Sequence, residues 1–270
     1  MKRRKNVSLC FFYSEMTEVG YIVLGLVAGV LSGLFGIGGG IVLVPSLIVF
    51  FGMEILDANA TSLTAMLLPV GILGVWSYYK AGHVNITESL WIALGLFIGS
   101  FFGGEIAVNI SEKLLSALYS IILIYVAVSY LDIPSWFRKK AIKNDTVPEK
   151  KKFPVWSFVA VGLAAGVFAG LFGKGGGIVI VPMLIAVFRY SPKMAVATSL
   201  ASLQLPVGLP GVLIYADAGH LNLASAALIA GGILAGALVG SLLGVKLASN
   251  HFKKIYALFL VVVAVYMVLK

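Results

Sequence analysis

Two glycine clusters hold the residue types with the most chemical potential in this sequence. Gly36-Ile37-Gly38-Gly39-Gly40 and Gly173-Lys174-Gly175-Gly176-Gly177 each place four glycines in five positions, with a proline five residues further on. Glycine has no Cβ, so its backbone N–H groups approach a ligand closely, and runs of such groups form concavities that hold anions. The candidate binding residues are therefore Gly36, Gly38, Gly39, Gly40, Gly173, Lys174, Gly175, Gly176 and Gly177. Lys174 stands where the first cluster has Ile37, and an ammonium there sets a fixed positive charge opposite an oxyanion. The alternatives are a lysine that snorkels to water and glycines that serve only close helix packing. Dinucleotide binding does not fit, because no strand–turn–helix unit with a downstream acid surrounds either cluster.

Hydroxyls form the second candidate set. Thr61 and Ser62 lie in Asn59-Ala60-Thr61-Ser62-Leu63-Thr64, and Thr198 and Ser199 lie in Ala197-Thr198-Ser199-Leu200-Ala201-Ser202. Each group is expected to open a helix, either as a cap or as a donor to the oxygens of an anion. Gln204 is expected one or two turns inside the second of these helices, lining a pathway or bonding a neighbouring helix. His83 and His220, in two Ala-Gly-His-x-Asn elements, are expected to cap loops. Among the residue patterns there is no Ser/His/Asp arrangement, paired-carboxylate site or HExxH helix, so no catalytic residue is assigned and an enzyme is not expected. A single cysteine, Cys10, and three scattered histidines give no metal site and no disulfide. No cofactor is expected.

The elements that position these residues are helices in a bilayer. Hydrophobic residues make up 60% of the chain and charged ones 11%, with a mean hydropathy of +1.03. A soluble domain is about 25% charged, so lipid must be the main solvent. The net charge of +9 sits in tails and loops between apolar spans, which reads as membrane orientation rather than nucleic-acid binding.

The chain is a duplicated half. Gly33-Leu-Phe-Gly-Ile-Gly-Gly-Gly-Ile-Val-Leu-Val-Pro45 recurs as Gly170-Leu-Phe-Gly-Lys-Gly-Gly-Gly-Ile-Val-Ile-Val-Pro182, identical at eleven of thirteen positions at an offset of 137. The same offset aligns Ala60-Thr61-Ser62-Leu63 with Ala197-Thr198-Ser199-Leu200, Leu68-Pro69-Val70-Gly71 with Leu205-Pro206-Val207-Gly208, and Asn85 with Asn222. The organisation expected is a tail over 1–18, a first membrane repeat over 19–133, a basic cytoplasmic linker over 134–154 and a second repeat over 155–270. Each repeat has four apolar segments: Val19–Phe51, Asp57–Tyr79, Glu88–Val108 and Leu114–Leu131, then Val155–Phe188, Met194–Tyr215, Leu221–Val245 and Ile255–Leu269. The first of each is broken at its glycines into two short helices, because each glycine costs about 1 kcal/mol in a helix interior. Non-helical backbone at membrane depth is tolerated where it lines a cavity. The fold class expected is all-α and integral to the membrane, each half a glycine-broken helical hairpin plus three crossing helices.

An odd number of crossings per half inverts the halves, and an even number keeps them parallel. The positive-inside rule places 13 Lys/Arg inside and 6 outside in either arrangement, with Lys174 left out. The inverted arrangement keeps Arg189, Lys193, Lys246, Lys253 and Lys254 inside, and its main offence, the Lys2-Arg3-Arg4-Lys5 tail, disappears if translation starts at Met16. Inverted halves are therefore expected. No acid sits at the centre of a span as a proton relay, which favours facilitated movement. The inside-negative potential drives an anion outward by about 2.3 kcal/mol per charge per 100 mV.

With these motifs in place, the chain resembles the sulfite exporter TauE/SafE family of permeases. The glycine motifs, the Ala-Thr-Ser-Leu elements and the AGHxN loops carry the resemblance, which spans Val19 to Leu269. It implies a multi-pass transporter of the cell inner membrane for sulfite or organosulfonates. The expected partners are a small anionic substrate and the lipid bilayer, with no nucleic acid, and a homodimer is compatible. A cation or metal permease and a non-transporting assembly partner are the alternative classes.

Overall fold

A computed structural model describes residues 17–32, 39–69, 72–80, 82, 84–130, 153–173 and 176–244. Their regular elements are all helices: α1 (Thr17–Ser32), then α2 (Gly40–Phe51), α3 (Ile55–Ala65), α4 (Ile72–Lys80), α5 (Ile86–Asn109), α6 (Glu112–Tyr130), α7 (Val155–Phe172), α8 (Gly177–Ala186), α9 (Pro192–Ser202), α10 (Leu209–Asp217) and α11 (Leu223–Gly244). The tail, the linker and the expected last segment, Ile255–Leu269, lie outside the described residues. By length and composition α5, α7 and the 223–240 part of α11 can each cross a membrane.

The sequence repeat is also a repeat of helix boundaries. Shifted by 137 residues, α3 and α4 coincide with α9 and α10, and α2 and α5 start where α8 and α11 do. Even the turn after the second helix is copied: Gly52 and Arg189, at equivalent positions, both have left-handed backbone, at φ 65° and 57°.

Two expectations need correction. Asp57–Tyr79 and Met194–Tyr215 are not single helices, because each is broken between Ala65 and Ile72 or between Ser202 and Leu209. The cause is the repeated Leu-Pro-Val-Gly. Proline has no N–H to continue the ladder and disfavours helical backbone at the residue before it. The chain restarts when Ile72 and Leu209 donate to the Pro69 and Pro206 carbonyls. The second correction concerns the hairpins. Their breaks fall at the glycines as expected, but α7 is a full 18-residue helix while α8 has 10 residues, so the two arms are unequal.

Glycine stripes fasten the halves together. A Cβ on Gly95, Gly99 or Gly103 of α5 would collide with the carbonyl oxygens of Val159, Leu163 and Val167 of α7. The converse holds for Gly162, Gly166 and Gly170 against Ile92, Leu96 and Ser100. Partner numbers rise together, so α5 and α7 run in the same direction. The pair α1 and α11 repeats the device, with Gly232, Gly236 and Gly240 on the carbonyls of Ile22, Leu26 and Val30. Small residues let two backbones touch, and this replaces the hydrophobic drive that lipid removes. Apolar residues on the outer faces stay exposed, Ile121, Trp156 and Leu223 among them, as lipid-facing positions require.

Candidate functional site

Where the four broken segments meet there is a cavity of about 40 Å³, room for a few waters by the rule that one needs about 10–15 Å³. Three pairs of its lining residues are equivalent under the repeat: Ser32 with Ala169, Leu63 with Leu200, and Met66 with Leu203. The cavity therefore straddles the internal symmetry and belongs to both halves. Leu96, Gly176, Gln204, Val207 and Gly208 complete it.

Helix ends supply its electrostatics. Gly176 is the N-cap of α8 and offers no side chain to the first-turn amides, and Gly39 does the same for α2. Uncapped amides at a helix start carry partial positive charge and wait for an acceptor. Met66 and Leu203 are the C-caps of α3 and α9, so helix ends of opposite polarity converge on one cavity. Gly176 cannot be replaced without movement, because a Cβ there would lie 2.6 Å from Leu96 Cδ2 and 2.9 Å from Ala165 Cβ.

The hydroxyls are buried but placed differently from expectation. Thr61 and Ser62 occupy the seventh and eighth positions of α3, and Thr198 and Ser199 those of α9. They lie inside these eleven-residue helices rather than opening them, and their side chains cap nothing. All four are fully buried, and their hydroxyls have no hydrogen-bond partner. Neighbouring Thr64 and Ser202 instead bond back to Ala60 and Thr198 carbonyls at 2.7 and 2.9 Å. Gln204 lies just past α9, in the break and not inside a helix. Gly36, Gly38, Lys174 and Gly175 fall outside the described residues, while Gly40 and Gly177 are the buried first residues of α2 and α8.

The second hairpin is held by side chains that sequence reasoning passed over. Gly173 ends α7 in left-handed backbone at φ 61°, packed on Asn59 so closely that a Cβ would meet the Asn59 backbone. Asn59 Nδ2 donates to the Leu171 carbonyl at 2.9 Å, and Tyr215 Oη donates to the Gly170 carbonyl at 2.7 Å. These carbonyls close a helix and have no partner within it. Asn59 stands immediately before the repeated Ala-Thr-Ser-Leu motif. Its equivalent in the second half is Val196, and that difference was the available signal.

Two polar pairs join the halves at opposite ends of α5. Near its start Tyr190 donates to Glu88. Burial first, then the hydrogen bond and charge of Glu88, push the Tyr190 phenol above its ordinary range and keep it a donor. Toward the other end, His220 Nδ1 lies 2.7 Å from Asp57 Oδ1, so His220 bridges halves instead of capping its loop. Capping falls to Asn85 and Asn222, which accept from Glu88 and Ser225 backbone N–H. His83 lies outside the described residues.

Known proteins are similar to this chain over most of its length. A probable membrane transporter protein of Methanocaldococcus jannaschii is 28% identical over 263 residues, 92% of this chain and 94% of its own length. One from Haemophilus influenzae is 30% identical over 275 residues, 92% and 97%. A sodium–calcium exchanger structure aligns over 94% of this chain and 90% of its own at 17% identity with a TM-score of 0.20. The family description "Sulfite exporter TauE/SafE" matches residues 21–267, which take in both glycine hairpins and both broken helices, and the chain belongs to that family.

Proposed function

We propose that this protein moves small oxyanions, sulfite or organosulfonates, across the cell inner membrane through the cavity shared by its two halves. The observation that carries the reading is the meeting of the uncapped α8 N-terminus with the unpartnered, buried Gln204 side-chain oxygen in one cavity lined by both halves. Half-helix N-termini aimed at a midplane site are a recurrent way to hold an anionic group in transporters. Lys174, two residues before Gly176 in the sequence, supplies the fixed positive charge in this proposal. The relatives named as probable membrane transporters support the class of activity.

The same proposal takes the halves as inverted, and the contacts support this. The start of α5 meets the beginning of the second broken helix through Glu88–Tyr190 and Ser89–Thr198. Later in α5, Gly104 meets Gly211 and Ile214 of α10. The α9–α10 segment thus follows α5, and α11, which follows α10 after a short turn, heads back. As α11 is the counterpart of α5, equivalent helices run in opposite directions. An odd number of crossings per half, with the glycine hairpin entering and returning, is consistent with this and with a cytoplasmic 134–154 linker.

The test is flux of sulfite and of sulfoacetate from proteoliposomes holding the purified protein, wild type beside Lys174→Ala. If Lys174 supplies this charge, its removal should lower flux by about tenfold or more. Folded wild-type protein that moves neither anion would remove the substrate assignment.

A further inference from the structure

We propose that the cavity selects singly charged oxyanions that keep an O–H group, and that Gln204 Oε1 accepts the hydrogen bond from it. This rests on the transport reading above and narrows its substrate class.

Gln204 lines the cavity together with Gly176. Its Nε2 lies 2.8 Å from the Leu200 carbonyl. A carbonyl oxygen only accepts, so the amide atom facing it must be the NH₂ group, and this fixes the orientation of the side chain. Oε1 is then the remaining atom, buried and without a partner. An amide oxygen cannot donate, so it can be satisfied only by a donor or a cation. Buried polar atoms left empty in a folded protein are uncommon and call for a reason.

Two unpartnered hydroxyls, able to donate or accept, lie one turn behind the lining. Ser62 and Ser199 are fully buried and unpartnered. Each sits one helical turn before a cavity-lining residue, since Met66 N–H bonds the Ser62 carbonyl and Leu203 N–H the Ser199 carbonyl. Residues four apart share a helix face. The cavity therefore joins amide donors at α8, suited to negative oxygens, with an acceptor that needs a hydrogen. A fully ionised oxyanion or a sulfonate satisfies only the first, whereas an oxyanion retaining one proton satisfies both. Its lower charge also suits a lining made mostly of leucine, methionine and valine, where burying charge is expensive.

The repeat supplies the control. The position equivalent to Gln204 in the first half is Leu67, so the acceptor exists once and the fold already accommodates leucine at that place. The experiment compares proteoliposome flux of hydrogen sulfite with that of methanesulfinate, which has the same charge and a methyl group in place of the hydroxyl. Wild type should prefer hydrogen sulfite by about tenfold or more, and its rate should fall as rising pH removes that proton from the substrate. Gln204→Leu, or Gln204→Met should the leucine variant not fold, should bring the two fluxes to within about twofold while methanesulfinate flux persists. Equal wild-type fluxes, or a variant that loses both alike, would overturn the hydroxyl assignment and leave anion transport standing. No flux of either anion by folded wild type would overturn both. A sodium requirement that vanishes in Gln204→Leu would assign the acceptor to a cation and overturn it as well.

Discussion

Arg189 shows what one residue's backbone contributes. It is the one non-glycine among the described residues with left-handed φ, at 57°, and its counterpart Gly52 has φ 65° in the same turn. A side chain in that region is strained by roughly 1–2 kcal/mol, which glycine avoids at the expense of a looser unfolded chain. Arg189→Gly should therefore stabilise the detergent-solubilised protein by about 0.5–1 kcal/mol, read as a rise in its thermal unfolding midpoint. An unchanged or lower midpoint would mean that the Arg189 side chain contributes something the turn geometry does not reveal. Lys174 and Gln204 belong to this scale too. The first lies in a position where its own repeat offers isoleucine and the second where it offers leucine, so each marks a place where one half was altered and the other kept.

At the scale of elements, the paired stripes α5–α7 and α1–α11 set the frame in which the cavity forms. Their glycines are in backbone contact along three successive turns, so a methyl group has no room. Gly99→Ala should destabilise by about 1–3 kcal/mol through overpacking. Gly231, in α11 but with nothing within 4 Å of its missing Cβ, is the matched control. Gly231→Ala should be neutral or stabilising by up to about 1 kcal/mol from helix propensity. Thermal unfolding of the two variants side by side checks the pair, and equal effects would show that the stripes do not fasten the halves. The broken helices obey a different rule. Their interruptions follow from Pro69 and Pro206, and they bring the ends of α3 and α9 to the same cavity as the start of α8.

For the whole molecule, the proposed inversion of the halves has a consequence that labelling can read. The turns at Gly82 and Gly219 are equivalent, with φ of 72° and 83°, and inverted halves put them on opposite faces of the membrane. With Cys10 replaced by serine, a cysteine at Gly82 and one at Gly219 should react with a membrane-impermeant maleimide from opposite sides. Labelling of both from the same side would make the halves parallel. The polar pairs fit the inverted frame. Tyr190–Glu88 and His220–Asp57 tie the two halves at opposite ends of α5, and neither pair has a copy under the repeat, because the equivalent positions are Met53 with Ser225 and His83 with Met194.

The duplication, the helical class, the family and the position of the glycine breaks are legible in the order of residues, because identity at fixed spacing and apolar length are local, additive properties. The sequence also named the hydroxyls and Gln204, as polar residues in apolar spans stand out without a structure. It misplaced them along their helices, since the helix start lies at Ile55 and Pro192, upstream of the apolar segments as read, and the Leu-Pro-Val-Gly break looked like part of one crossing. Which helices touch is visible only in the folded molecule. The pairing of α5 with α7 across the halves, the hold of Asn59 and Tyr215 on the end of α7, and the convergence of Ser32, Met66, Gly176 and Gln204 on one cavity join residues from 28 to 172 positions apart in the chain. Contacts of that kind arise from packing between elements, and no local pattern encodes them.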